Sequence, residues 1–117
     1  MNIAIIGSGN VGLITGACFA DVGNKVICYD IDTDKIKNLN EGKVDVYESG
    51  LDRLINKNLN SNLFFSDDIK HVVKESDIIF LTVGTPMGEK GEANMKYMYS
   101  AAKDIGACLK SSKLIIT

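Results

Sequence analysis

Apolar residues in this chain fall into two spacings that alternate along its length. Residues 3–6, 26–29, 63–65, 78–81 and 114–116 are short, nearly unbroken apolar runs. Runs of that length without polar alternation suit strands covered on both faces, as in a parallel sheet held between helices. Between them the apolar positions recur at helical spacing. Val11, Ile14, Cys18 and Val22 form one such stripe. Ile69, Val72 and Val73 form another, with Ser66 ahead of them as the expected N-cap. Met98, Ala101, Ala102, Ile105 and Leu109 form a third. Residues 32–40 read as a shorter helix stopped near Gly42, and residues 51–59 add one more before the third strand.

Strands and helices in that order predict an α/β fold, a right-handed, doubly wound parallel sheet with strand order 3-2-1-4-5. The order reverses between the first and fourth strands, and open sheets of this kind bind ligands at that reversal. No internal repeat or low-complexity tract interrupts the pattern. The chain stops in its fifth apolar run, at Thr117. A sheet of this type ordinarily continues, so residues 1–117 are expected to be one nucleotide-binding domain, truncated after the fifth strand, at the front of a longer protein.

Composition narrows the range of functions. At 117 residues, 45% hydrophobic and 24% charged, the chain can form one domain with a real core. It is short for a complete two-substrate enzyme. The net charge is −2, Arg53 is the sole arginine, and the lysines are scattered. A surface that tracks nucleic-acid phosphates would cluster them, so no nucleic-acid partner is expected. No apolar run approaches a membrane span, and no secretory signal pattern precedes Ile3, which places the expected site of action in the cytoplasm. Cys18, Cys28 and Cys108 are odd in number and far apart. That suits reduced packing thiols rather than a disulfide framework or a metal site.

The chemistry-bearing pattern is Gly7-Ser8-Gly9-Asn10-Val11-Gly12, a G-x-G-x-x-G turn that follows a buried strand and opens a helix. Gly7 makes the tight turn, Gly9 leaves room for a pyrophosphate, and Gly12 lets helix and strand pack closely. The unpaired N–H groups of the helix start then face the phosphates. Asp30 closes the second strand, where a carboxylate accepts both ribose hydroxyls of an adenosine and repels a 2′-phosphate, so NAD is favoured over NADP. Lys35 is compatible by spacing with a solvated lysine and with a cation at the adenosine end. The loop Val83-Gly84-Thr85-Pro86-Met87 sits beside the turn if the order is 3-2-1-4-5. It reads equally as an ordinary Gly/Pro loop and as a contact for the ribose or nicotinamide half. His71, without a second ligand nearby, reads as a surface histidine. Glu48 and Asp52, four apart, read as a solvated helix face.

Five stretches, IAIIGSGNVGLITGACFA, VICYDID, KIKNLNEGKVDVYESGL, SDIIFLTVGTPMGEKGEANM and AAKDIG, resemble the amino-terminal, Rossmann-type NAD domain of the UDP-glucose/GDP-mannose dehydrogenase family. The resemblance runs through the whole chain. VYESGL and VGTP are more specific than the glycine fingerprint, since dinucleotide-binding domains in general have no physical need for them. It implies oxidation of the 6-hydroxyl of UDP-glucose to the carboxylate of UDP-glucuronate with two NAD. A cysteine thiol captures the aldehyde stage, and water releases the resulting thioester. For this chain it implies cofactor contacts at Gly7, Ser8, Gly9, Asn10, Val11, Gly12, Asp30, Lys35, Val83, Thr85 and Pro86. It implies no catalytic residue, because the family's thiol, lysine and sugar clamp lie in later regions. The UDP-sugar is expected to bind mainly outside residues 1–117, and the full enzyme to be a homo-oligomer. Two positions depart from the family pattern: Asn10 stands where tyrosine is usual, and Ser49 where proline is usual. Both bear on the sugar more than on NAD. Another nucleotide sugar (a UDP-N-acetyl sugar or GDP-mannose) and a stand-alone NAD-sensing module are the alternatives.

Overall fold

The computed structural model describes residues 1–44, 48–83, 96–109 and 113–116, with residues 96–98 as backbone only. Five strands, β1 (Asn2–Ile6), β2 (Lys25–Tyr29), β3 (Leu63–Ser66), β4 (Ile78–Leu81) and β5 (Leu114–Ile116), form one sheet. All pairings are parallel and the order is β3-β2-β1-β4-β5, as the sequence predicts. β1 sits at the centre, with Ile3 paired to Val26 on one side and to Ile78 on the other. The helices are α1 (Asn10–Asp21), α2 (Thr33–Asn40), α3 (Leu51–Asn58), α4 (Ile69–Lys74) and α5 (Lys96–Cys108).

The period-two alternation of strand side chains divides the core into two layers. Ile3, Ile5, Val26, Cys28, Leu63 and Phe65 face α1, α2 and α3. Ala4, Ile6, Ile27, Ile79 and Leu81 face the opposite way and pack on Val72 and Val73 of α4 and Ile105 of α5. An apolar residue at every position is therefore what this sheet requires. β5 differs: it lies at the sheet edge, and Leu114, Ile115 and Ile116 remain exposed.

Three local expectations are corrected. The stripe Val11, Ile14, Cys18 and Val22 is not the buried face of α1. Gly12, Leu13, Gly16, Ala17 and Ala20 are buried, while Val11, Cys18 and Val22 are exposed. Close contact with the sheet selects small residues, and a periodicity weighted to large apolar side chains selects the outer face instead. Cys18 is accordingly a surface thiol; Cys28 is fully buried and Cys108 partly so. The N-cap of α4 is Asp68, whose carboxylate accepts the N–H groups of Lys70 and His71; Ser66 Oγ accepts the N–H of Asp68 one step earlier. Glu48 precedes α3, which begins at Leu51, so Glu48 and Asp52 do not share a helix face, although both are exposed. His71 is exposed on α4.

Candidate functional site

A cleft of about 620 Å³ opens at the carboxyl ends of β1, β2 and β4, where the strand order reverses. Gly7 to Val11 form its floor, Asp30, Ile31 and Lys35 one wall, and Thr82 and Val83 the other. Ile69 of α4 and Ser100, Ala101 and Asp104 of α5 close it from the second face of the sheet. Gly12 lies behind the floor, buried against the turn. Thr85 and Pro86 lie outside the described residues, as do Gly84 and Met87.

The floor is shaped by what its glycines meet. Gly7 has φ +108°, and a Cβ there would stand 2.9 Å from the backbone of Thr82 and Val83. A side chain there is excluded on both counts. A Cβ on Gly12 would overlap the carbonyl oxygen of Gly7. At Gly9 an added Cβ would meet nothing within 4 Å, so its open side is free for a ligand. Gly9 is also the N-cap of α1 and contributes no side-chain cap; the first helical bond runs from the Leu13 N–H to its carbonyl. The amides of Asn10, Val11 and Gly12 therefore begin a 12-residue helix without intrahelical partners, and its first turn holds no acidic residue. Helix starts of this kind attract anions.

Asp30 is drawn into the turn. Its Oδ2 accepts the Ser8 N–H at 3.0 Å and its Oδ1 accepts the Asp32 N–H at 3.0 Å. Each carboxylate oxygen has a second lone pair, so further donors can be accommodated. Lys35 Nζ stands 3.9 Å from Oδ2. Asp32, the N-cap of α2, is committed to the Lys35 N–H. The turn is fastened to β2 twice more, by the Gly7 N–H and the Ser8 hydroxyl, both donating to the Tyr29 carbonyl at 2.8 and 3.2 Å. Burial, helped by the nearby carboxylates of Asp104, Asp30 and Asp67, raises the Tyr29 phenol above its ordinary value. Asp30 and Asp104 place two carboxylates on the cleft lining, with Lys35 beside the first.

Eight of the eleven sequence-predicted site residues line the cleft. The pattern alone does not point to Thr82, Tyr29, Ile31, Ser100 or Asp104. Thr82 immediately precedes the predicted loop and becomes a wall residue once β4 is placed beside β1. Ser100 and Asp104 are one helical turn apart, a spacing that shares a face but names no function. No group of three or more His, Cys, Asp or Glu suited to a metal ion occurs among the described residues. No described helix is long and apolar enough to cross a membrane. The cysteines stay out of the cleft, and burial pushes the Cys28 thiol up to about 12.

Comparison with known proteins agrees with this geometry. Residues 1–117 match the UDP-glucose/GDP-mannose dehydrogenase family, NAD binding domain. The UDP-glucose 6-dehydrogenase TuaD of Bacillus subtilis is 50% identical over 115 residues, which cover 97% of this chain and 25% of that protein. A UDP-glucose 6-dehydrogenase of Rhizobium meliloti is 44% identical, covering 100% of this chain and 27% of its own length. Among solved structures, a ternary complex of GDP-mannose dehydrogenase from Pseudomonas aeruginosa superposes with a TM-score of 0.93 at 32% identity, over 98% of this chain and 27% of that one. The chain thus spans about a quarter of the length of the curated relatives it matches.

Proposed function

Because the chain belongs to the UDP-glucose/GDP-mannose dehydrogenase family, as its NAD-binding domain, we propose that the cleft seats NAD for a dehydrogenase that oxidises the 6-hydroxyl of UDP-glucose to a carboxylate. The residues fit that cofactor. The amides opening α1 and the bare side of Gly9 suit a pyrophosphate, and Asp30 has lone pairs left for two ribose hydroxyls. Ile31, Ile69 and Ala101 offer an apolar slot for the base. NAD supplies a hydride acceptor, and two equivalents balance the four-electron change from alcohol to carboxylate. This chain binds and orients NAD and excludes a 2′-phosphorylated cofactor. The nucleophile that the oxidation needs is not among its cysteines, because the cleft contains none of them. Sugar binding and catalysis therefore belong to other parts of the full-length protein, proposed to be a cytoplasmic homo-oligomer. The 117-residue chain alone is inactive.

The observation that carries the reading is Asp30: its carboxylate lies 3.0 Å from the Ser8 amide, inside the same cleft as the glycine turn and the helix start. Calorimetric titration tests it. NAD binds, NADP binds at least tenfold more weakly, and Asp30→Ala removes most of the NAD affinity. Equal binding of NADP, or an Asp30→Ala chain that binds NAD like wild type, overturns the assignment. GDP-mannose is the second substrate to assay, given the similarity to a GDP-mannose dehydrogenase. Full-length protein that reduces NAD with GDP-mannose but not with UDP-glucose would replace the sugar and keep the cofactor.

A further inference from the structure

The peptide unit joining Gly7 to Ser8 is gripped at both ends by strands on opposite sides of β1. Its N–H donates to Asp30 Oδ2 at 3.0 Å, just past the end of β2. Its carbonyl accepts from Thr82 Oγ1 at 2.9 Å, just past the end of β4. A hydroxyl has one proton to give. The other acceptor near Oγ1, the Ile6 carbonyl at 3.2 Å, already takes the Thr82 backbone N–H at 2.9 Å. The shorter contact is the one to Gly7, whose carbonyl takes the proton.

That bond matters because Gly7, at φ +108°, imposes little conformational preference of its own. The rotation of the Gly7–Ser8 plane sets the direction of the chain into Gly9 and the first amides of α1. The Gly7 carbonyl is also the atom against which Gly12 packs. One oxygen is thus shared by the turn, the helix and the hydroxyl.

We propose that Thr82 is a positioning residue for the cofactor. Its hydroxyl fixes the Gly7–Ser8 peptide against Asp30 and so aims the amides of the helix start at the pyrophosphate. This rests on the cleft being the NAD site. Thr82 acts through Gly7 and forms no part of the anion-binding amides themselves.

Thr82→Val and Thr82→Ser separate the hydroxyl from the shape of the side chain. Two readouts are needed: NAD affinity by calorimetry, and amide hydrogen exchange at Ser8 by NMR without ligand. Val lowers NAD affinity about tenfold and speeds Ser8 exchange, because the Gly7 carbonyl loses its donor. Ser keeps affinity within about threefold of wild type and leaves Ser8 protected. A role confined to stability would weaken Ser and Val together and shift Ser8 exchange only in step with global unfolding. Val with wild-type affinity and exchange, or Ser no better than Val, overturns the proposal. Should Val not fold, Thr82→Ala against Thr82→Ser makes the same comparison. If the wild-type chain binds no NAD, the cofactor reading fails, and Ser8 exchange still decides whether Thr82 holds the turn.

Discussion

Gly9 and Gly12 stand three residues apart in one turn and meet opposite surroundings. A methyl group on Gly12 runs into the Gly7 carbonyl, whereas one on Gly9 projects into the open cleft. Their alanine variants should therefore fail differently. Gly12→Ala costs about 1–3 kcal/mol of stability, because backbone rather than a flexible side chain has to move. Gly9→Ala, at φ −79°, costs about 1 kcal/mol through the poorer N-cap and loses NAD affinity tenfold or more. Denaturant unfolding paired with NAD titration distinguishes them. A Gly9→Ala chain that binds like wild type would show that no ligand approaches that side. These glycine roles were legible in the sequence because the turn's spacing already encodes which position needs room and which needs contact. Thr82 was not, because its hydroxyl gains meaning only when residue 82 is brought against residue 7 by strand pairing. Asp68 was not either: Ser66 and Asp68 are both good cap residues, and only the backbone path at residues 67–68 decides between them.

At the scale of elements, α1 carries the lesson that small residues can be the core. Gly16 faces β2, and a Cβ there would lie 2.8 Å from Cys28 Sγ and 3.5 Å from Ile5 and Val26. Helix and strand are as close as their side chains permit, and Val11 of α1 and its C-cap Val22 are left exposed while Leu13 is buried. Large-residue periodicity located the helix correctly and oriented it wrongly, since Gly and Ala carry little weight in such a pattern. The strands were easier to read, because burial on both faces leaves a continuous run with no face to choose. Gly16→Ala is expected to destabilise by about 1–3 kcal/mol. Cys28→Ala removes the sulfur that obstructs it. In a double-mutant cycle by urea unfolding, the pair should cost less than the sum of the singles by about 0.5–3 kcal/mol. Additive losses would mean that α1 can shift away from the sheet without reference to Cys28.

For the molecule as a whole, α1 and α3 are joined by a polar clasp at the far end from the cleft. Asp21 ends α1, and its carboxylate meets Lys57 Nζ at 3.0 Å and the Asn58 side-chain amide at 3.2 Å, both at the end of α3. Asn58 is buried and also donates to the Leu54 carbonyl at 3.0 Å, so the carboxylate satisfies a group with few alternatives. The hydrogen bonds from Lys57 and Asn58 hold the Asp21 carboxyl below its ordinary value. A carboxyl with a lower value in the folded than in the unfolded chain binds fewer protons when folded. Its contribution is therefore fully present above the unfolded value of 3.8 and is lost as pH falls through the folded one. Asp21→Asn removes that dependence. Wild type should then lose more stability than the variant as pH falls below about 4 in urea unfolding. The pair is solvent-exposed, so the difference should be modest and should shrink in about 1 M salt. Glu41 is also held below its ordinary value, by Lys43, so the variant keeps part of its acid dependence. Parallel pH profiles for wild type and Asp21→Asn would mean that the charge of Asp21 adds nothing to the joint between α1 and α3.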